Sequence, residues 1–175
     1  FINFIKLIHA LIHDLVRSSG INRASLYNTF HDKENLFLQC FLMYRANAVD
    51  YINDIFNSEK TTKNGLRRLF DSLYETYQQN NQKGCLICNS YAELLPTENK
   101  LIIELLNDTK KIITALILNA LKKAKLKQEL KKNIDIALIS ESIYTSMVGT
   151  AILSKVKKEE IIKNKTLHHY LSIFI

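Results

Sequence analysis

The stretch Asp14-Leu15-Val16-Arg17-Ser18-Ser19-Gly20-Ile21-Asn22-Arg23-Ala24-Ser25-Leu26-Tyr27-Asn28-Thr29-Phe30-His31-Asp32-Lys33-Glu34-Asn35-Leu36 decides how this chain is read. Ile12 to Ser18 supply about two helical turns, and Gly20 stops them. Asn22 is placed to cap a second short helix running to about Thr29, because its side-chain oxygen can accept an otherwise orphaned amide of the first turn. Two short helices joined by a Gly-containing turn make a helix-turn-helix pattern, one that many bundles share at their corners. Asp32 then reads as the cap of a much longer helix, with Glu34 favouring its positive first turn.

Outward from that stretch, helical periodicity dominates. Residues 32–57 place Phe37, Cys40, Phe41, Tyr44, Ala48, Tyr51, Ile52, Ile55 and Phe56 on one stripe. Residues 63–80 carry Leu66, Leu69, Phe70, Leu73 and Tyr77, and end in a polar run before Gly84. A short apolar segment, 84–95, stops at Pro96. Residues 98–125 form a wide apolar stripe from Leu101 to Ala124, including Ile112 and Leu116. Residues 133–155 are apolar on much of their circumference, with Ser140, Ser146 and Gly149 allowing close contact, and 158–174 close the chain. Only 4 Gly and 1 Pro in 175 residues are too few for the turns of a sandwich or barrel. The expected fold is all-α, an N-terminal helix-turn-helix module followed by a helical bundle. The last helices offer more apolar surface than one small core can use; a homodimer interface is expected, with a thicker monomer core as the alternative.

Composition narrows the class. At 47% hydrophobic and 23% charged residues the chain is an ordinary globular protein. The net charge of +7 permits nucleic acid or an anionic surface without choosing between them. The longest uncharged run, Ser142 to Ser154, is 13 residues, short of the ~20 that a membrane helix needs, so no membrane partner is expected. Lys6 and His9 interrupt the apolar N-terminal stretch against a signal peptide. Three cysteines make no disulfide framework, and a cytoplasmic setting is expected.

The opening stretch resembles the DNA-binding signature of the TetR/AcrR transcriptional regulators: a Gly-apolar turn at Gly20-Ile21, a short helix ending Leu26-Tyr27-x-x-Phe30, then Lys33-x-x-Leu36. Residues 14–36 carry this match; beyond them the chain agrees only in being helical and of the usual length. The resemblance implies a DNA-binding domain over 1–45 and an effector-binding and dimerisation domain over 46–175. Ile21, Leu26 and Phe30 would pack the short helix, leaving Asn22, Arg23, Ala24, Ser25 and Asn28 to the major groove. Arg23 could pair with guanine and Asn28 with adenine, while Ser25, Tyr27, His31 and Lys33 lie where the backbone passes. Tyr27 as a partly buried core residue and Lys33 as a solvated lysine are the alternatives. The family's first helix, Gly-aromatic turn and cap would have to come from Phe1 to Ala10, which has no Gly. That first helix is therefore expected to be short or incomplete, and with Phe1 in place of Met an upstream segment is expected to be missing. Residues 1–45 hold five basic and three acidic residues, a net of only +2. The cluster Lys110, Lys111, Lys122, Lys123, Lys125, Lys127, Lys131 and Lys132 reads as a solvated bundle face.

The same resemblance implies a ligand-responsive regulator, a repressor released from a palindromic double-stranded operator by a small-molecule effector or by thiol modification. The alternative is a helical dimeric small-molecule-binding protein with a defective DNA module. Candidate effector residues are Tyr74, Tyr77, Cys85, Asn89, Leu116 and Tyr144, polar tips beside apolar walls; residues of this kind are more often simple core, which is the alternative for each. Gly84-Cys85-Leu86 resembles a segment in one branch of the family in which that cysteine senses electrophiles or oxidants. A thiol at a helix start beside Lys83 would have a lowered pKa, while a buried small hydrophobe is the alternative. Cys85-x-x-Cys88 has no second ligand pair for a metal, and no phosphate loop, nucleophile elbow or acid pair is present. No metal, cofactor or catalysis is expected.

Overall fold

The computed structural model describes residues 16, 17, 20, 22–79, 85–95, 98–153 and 160–175. Among them are seven helices and no strand: α1 (Arg23–Phe30), α2 (Lys33–Ser58), α3 (Thr62–Gln79), α4 (Leu86–Leu94), α5 (Lys100–Leu126), α6 (Ile136–Leu153) and α7 (Glu160–Leu171). The expected first helix and the turn residues Ser18, Ser19 and Ile21 lie outside the described residues, save Val16 and Arg17, which are helical.

Side-chain caps set the N-terminal boundaries. Gly20 has φ +69 and its amide donates to the Val16 carbonyl at 3.0 Å, which ends the first helical turn. Asn22 Oδ1 accepts the Ser25 amide at 2.8 Å, starting α1. His31, at φ 63 and ψ −52, then turns the chain within three residues, the Asp32 amide donating to the Phe30 carbonyl at 2.7 Å. Asp32 Oδ1 accepts the Asn35 amide at 2.8 Å, so α2 begins where α1 ends.

The head of α2 carries α1. Leu36, Phe37 and Phe41 are buried, and the half-buried Phe30 and Val16 pack on the same core. At the other end, α2 meets α3 at Gly65, where a Cβ would stand 2.8 Å from Phe56 Cδ1. Arg68 ties this corner by reaching Ser58 Oγ and Glu59 Oε1, each at 3.1 Å. Glu129 Oε2 accepts the Thr62 amide at 3.3 Å, and Thr62 Oγ1 donates to the Ala120 carbonyl at 3.2 Å, so the start of α3 is held by the end of α5.

Helix α5 is the central post: Ile102, Leu105, Leu106, Ile113, Ile117, Leu121 and Ala124 are buried along it. Leu101 and Ile112, expected on its inner stripe, are 44% and 37% exposed instead. The apolar arc of α5 is wider than its neighbours cover, which leaves those two on the outer edge. Helix α6 buries Ser140, Ile143, Tyr144, Met147 and Ala151 on one side and exposes Leu138, Ile152 and Leu153 on the rest. By length and composition α6, with a mean hydropathy of 1.5, could cross a membrane. Only 28% of it is buried, in a stripe packed against α5, α3 and α4. Helix α7 is clamped by Tyr170, whose ring stacks on Phe70 at 5.9 Å and whose hydroxyl meets Ser146 Oγ at 2.8 Å. The tail returns to the loop after α5, Lys131 and Ile175 amides donating to the Ile173 and Glu129 carbonyls, each at 2.9 Å.

Candidate functional site

Two features stand out, one at the head of α2 and one along its middle. The first is the outer face of α1, where Ala24, Ser25, Asn28 and Thr29 are exposed. Asn22 is exposed too, but its Oδ1 is occupied by capping, so its amide nitrogen is the group left for a partner. His31 is exposed in the turn. The side chains of Arg23, Tyr27 and Lys33 lie outside the described residues; their backbones are the first turn of α1, its middle and the first residue of α2. Glu34, beside Lys33, accepts a hydrogen bond from Asn99 Nδ2 at 3.1 Å. Asn99 also caps α5 through Oδ1, at 3.0 Å from the Leu101 amide, so the head of α2 is tied directly to the central post.

The second feature is an apolar cavity of about 390 Å³ enclosed by α2, α3, α4, α5 and α6. Tyr44, Asn47, Ala48, Tyr51 and Ile52 of α2 form one wall, and Leu69, Ser72 and Leu73 of α3 another. Cys85, Ile87 and Cys88 stand across from them, with Tyr144, Met147 and Val148 of α6. Of the sequence candidates, Cys85 and Tyr144 line this space, while Tyr74, Asn89 and Leu116 are placed outside it. Tyr74 is one step round α3 from the lining Leu73, and Asn89 one step round α4 from Cys88. Leu116 packs half-buried on the core instead. The side chain of Tyr77 lies outside the described residues. Tyr44, Tyr51 and Cys88 were not singled out by sequence as lining. Two tyrosines seven residues apart around a small Ala48 were the available signal: a stripe with polar tips and a gap.

Cys85 sits at the N-cap of α4 with no side-chain cap. Tyr44 Oη donates to its Sγ at 3.4 Å. The Cys88 thiol one turn on, the Tyr44 hydroxyl and the Cys88 and Ile87 amides together outweigh burial and bring the Cys85 pKa down to about 6. Burial, with Cys85 alongside, pushes the Tyr44 phenol up. Burial also raises Tyr144 and Tyr91, and it raises the thiol of Cys40. Deeper in, Tyr91 Oη donates to the Leu106 carbonyl at 2.9 Å and lies 3.0 Å from Tyr144 Oη. None of the three cysteines is in a disulfide, and no group of three metal-ligating side chains occurs among the described residues. The lysines of the expected basic face are exposed, apart from the half-buried Lys110, which pairs with Glu141 at 2.8 Å.

A short capped helix seated on the head of a long helix, with a five-helix bundle enclosing a cavity behind it, defines a class: the chain has the all-α fold of the TetR-family transcriptional regulators. No family model and no curated protein matches the sequence. Among solved structures it is similar to the regulatory protein TetR from Rhodobacter sphaeroides, with a TM-score of 0.83 at 14% identity over 94% of this chain and 87% of that one. It is similar also to the reduced form of E. coli NemR, at 0.71 and 18% identity over 93% and 85%. A CifR cysteine double mutant complexed with 26 bp of double-strand operator DNA matches at 0.74 and 17% identity, over 90% and 83%.

Proposed function

We propose that the chain is a homodimeric, ligand-responsive DNA-binding transcriptional regulator acting in the cytoplasm, a repressor released from a palindromic operator when its cavity is occupied or its thiol modified. The observation that carries this reading is the continuity of α2. Its head seats α1, with Ala24, Ser25 and Asn28 outward, and its middle walls the cavity at Tyr44, Ala48 and Tyr51. Residues 1–45 would read DNA and 46–175 would bind effector and partner, so the boundary falls inside α2 and a tilt of that helix reaches both. In such a dimer two recognition helices must meet half-sites about one helical turn, ~34–36 Å, apart, and a small change in spacing breaks the fit. The exposed Leu138, Ile152 and Leu153 of α6 support a second copy docking there. The solved CifR relative held on operator DNA supports the DNA reading, and the reduced form of NemR supports thiol control.

The test is recovery of genomic DNA fragments by the purified chain at two salt concentrations. A palindromic fragment, weakened by salt through lost phosphate contacts and abolished by Tyr27→Ala or Lys33→Ala, is expected. Weak, sequence-independent binding would overturn the reading and leave a helical small-molecule-binding dimer.

A further inference from the structure

The start of α4 places Cys85 and Cys88 as a pair. Cys85 is the N-cap, extended at φ −101 and ψ 132, and Cys88 is the third residue of the helix. Side chains at these two positions meet across the first turn, the register that capping boxes use, and the Cys88 thiol is a hydrogen-bond partner of Cys85. Both are free thiols, both line the cavity, and they are only 8% and 5% exposed. Cys40, the third cysteine of the chain, is not among the lining residues. Leu69, Leu73, Ile113 and Val148 give the same space apolar walls. At about 390 Å³ it exceeds the ~150 Å³ that takes up a benzene ring in an engineered apolar cavity.

A four-coordinate metal would find only half its ligands in this pair, and no group of three metal-ligating side chains occurs among the described residues. A monovalent ion held by two thiolates would leave a buried negative charge, which is costly. A trivalent centre bearing one carbon substituent needs two sulfurs and no more, and its product is neutral. We infer that the cavity captures a trivalent organoarsenical, the arsenic bridging Cys85 Sγ and Cys88 Sγ and its apolar group lying among Leu69, Leu73, Ile113 and Val148. With an aryl arsenoxide, two As–S bonds form, the arsenic–oxygen double bond breaks, and both thiol protons leave with the oxygen as one water. Arsenic stays trivalent and neither sulfur is oxidised. This deepens the reading of a thiol-modified effector site, on which it rests only for its consequence at DNA.

Titration of the reduced full chain with phenylarsine oxide and with arsenite tests this, since the two share the arsenic and differ in the ring. Intact-protein mass spectrometry in excess glutathione is expected to show one phenylarsenic group per chain, removed by 2,3-dimercaptopropanol. Burial of the ring should make phenylarsine oxide bind about thirty-fold more tightly than arsenite. Cys85→Ala and Cys88→Ala should each abolish the glutathione-resistant capture, whereas Cys40→Ala should leave it intact. Cys88→Ser replaces Cys88→Ala if the latter loses helicity in circular dichroism. Ala48→Phe, which fills the cavity from α2, should weaken phenylarsine oxide by about ten-fold and leave arsenite unchanged. No capture, capture that survives loss of Cys85 or Cys88, or equal affinity for the two arsenicals would overturn the inference. Operator binding is measured on the same samples. Sequence-specific DNA binding without capture removes only this inference, whereas capture without sequence-specific DNA binding removes the regulator reading and leaves the inference standing.

Discussion

Cys85 gives the sharpest prediction, because its environment sets two opposing effects on its reactivity. Its pKa falls from an ordinary 9.0 to about 6, chiefly through the Cys88 thiol and then Tyr44. At pH 7 roughly 90% of such a thiol is thiolate, against roughly 1% of an ordinary one. The more stable thiolate is also the weaker nucleophile: with a Brønsted slope of about 0.45, the same drop costs about twenty-fold in intrinsic rate. The net gain at pH 7 is therefore only about four-fold, and absolute rate is a poor readout. The position of the plateau is the good one. Pulse alkylation with iodoacetamide, followed by peptide mass spectrometry, should show Cys85 levelling off above about pH 7. Cys40, raised by burial, should still be climbing at pH 9 in the same samples. Cys88→Ala should move the Cys85 plateau to higher pH, and Tyr44→Phe should do so by less. The linkage sign follows: a depressed pKa contributes stability in full above pH 9, and that contribution is lost as pH falls through about 6, with about 1 kcal/mol present at neutrality. A Cys85 rate that rises ten-fold per pH unit from 7 to 9, in wild type and variants alike, would refute the reasoning.

Three further outcomes follow from local packing. Gly65→Ala puts a methyl 2.8 Å from the Phe56 ring, and overpacking should exceed the helix-propensity gain, lowering stability by about 1–2 kcal/mol in urea melts; an unchanged midpoint would mean the α2–α3 corner yields freely. Thr114 Oγ1 is buried without a hydrogen-bond partner, so Thr114→Val should raise stability by about 1 kcal/mol, and a loss would show that the hydroxyl is satisfied. Leu138 is 63% exposed on α6; if a second copy covers it, Leu138→Lys should weaken self-association by about 100-fold in light scattering with helicity unchanged, and an undisturbed dimer would move the interface off that part of α6.

Helices were legible wherever a cap or a steady stripe announced them. Asp32 and Asn22 cap α2 and α1 through the side-chain oxygens their sequence positions suggest. Phe37, Phe41, Ile52 and Ile55, expected on one stripe, are all buried. The cavity was not legible, and the same stripe explains why. Tyr44 and Tyr51 fall in register with those residues, yet remain 37% and 46% exposed because they border a void rather than fill one. Periodicity reports which face of a helix turns inward. Whether the inward space is filled depends on volumes contributed by four other helices, and none of those is written at residue 44 or 51.

The distribution of sequence signal along the chain has a physical cause. A bundle core asks only for apolar side chains of adequate volume at helical spacing, which is why a TM-score of 0.83 coexists with 14% identity. The corner from Gly20 to Asn35 asks for more. It needs a residue at φ +69 that only glycine adopts without strain, and an oxygen on a short side chain three residues before the Ser25 amide. It then needs a turn of one residue at φ 63 and a second short-armed oxygen at Asp32 to restart the helix at once. Each demand is met by few residue types, and all sit within sixteen positions that also seat α1 on the head of α2. The part of the chain where chemistry leaves least freedom is thus the part that sets the angle of the proposed recognition helix, and it is the part that could be read.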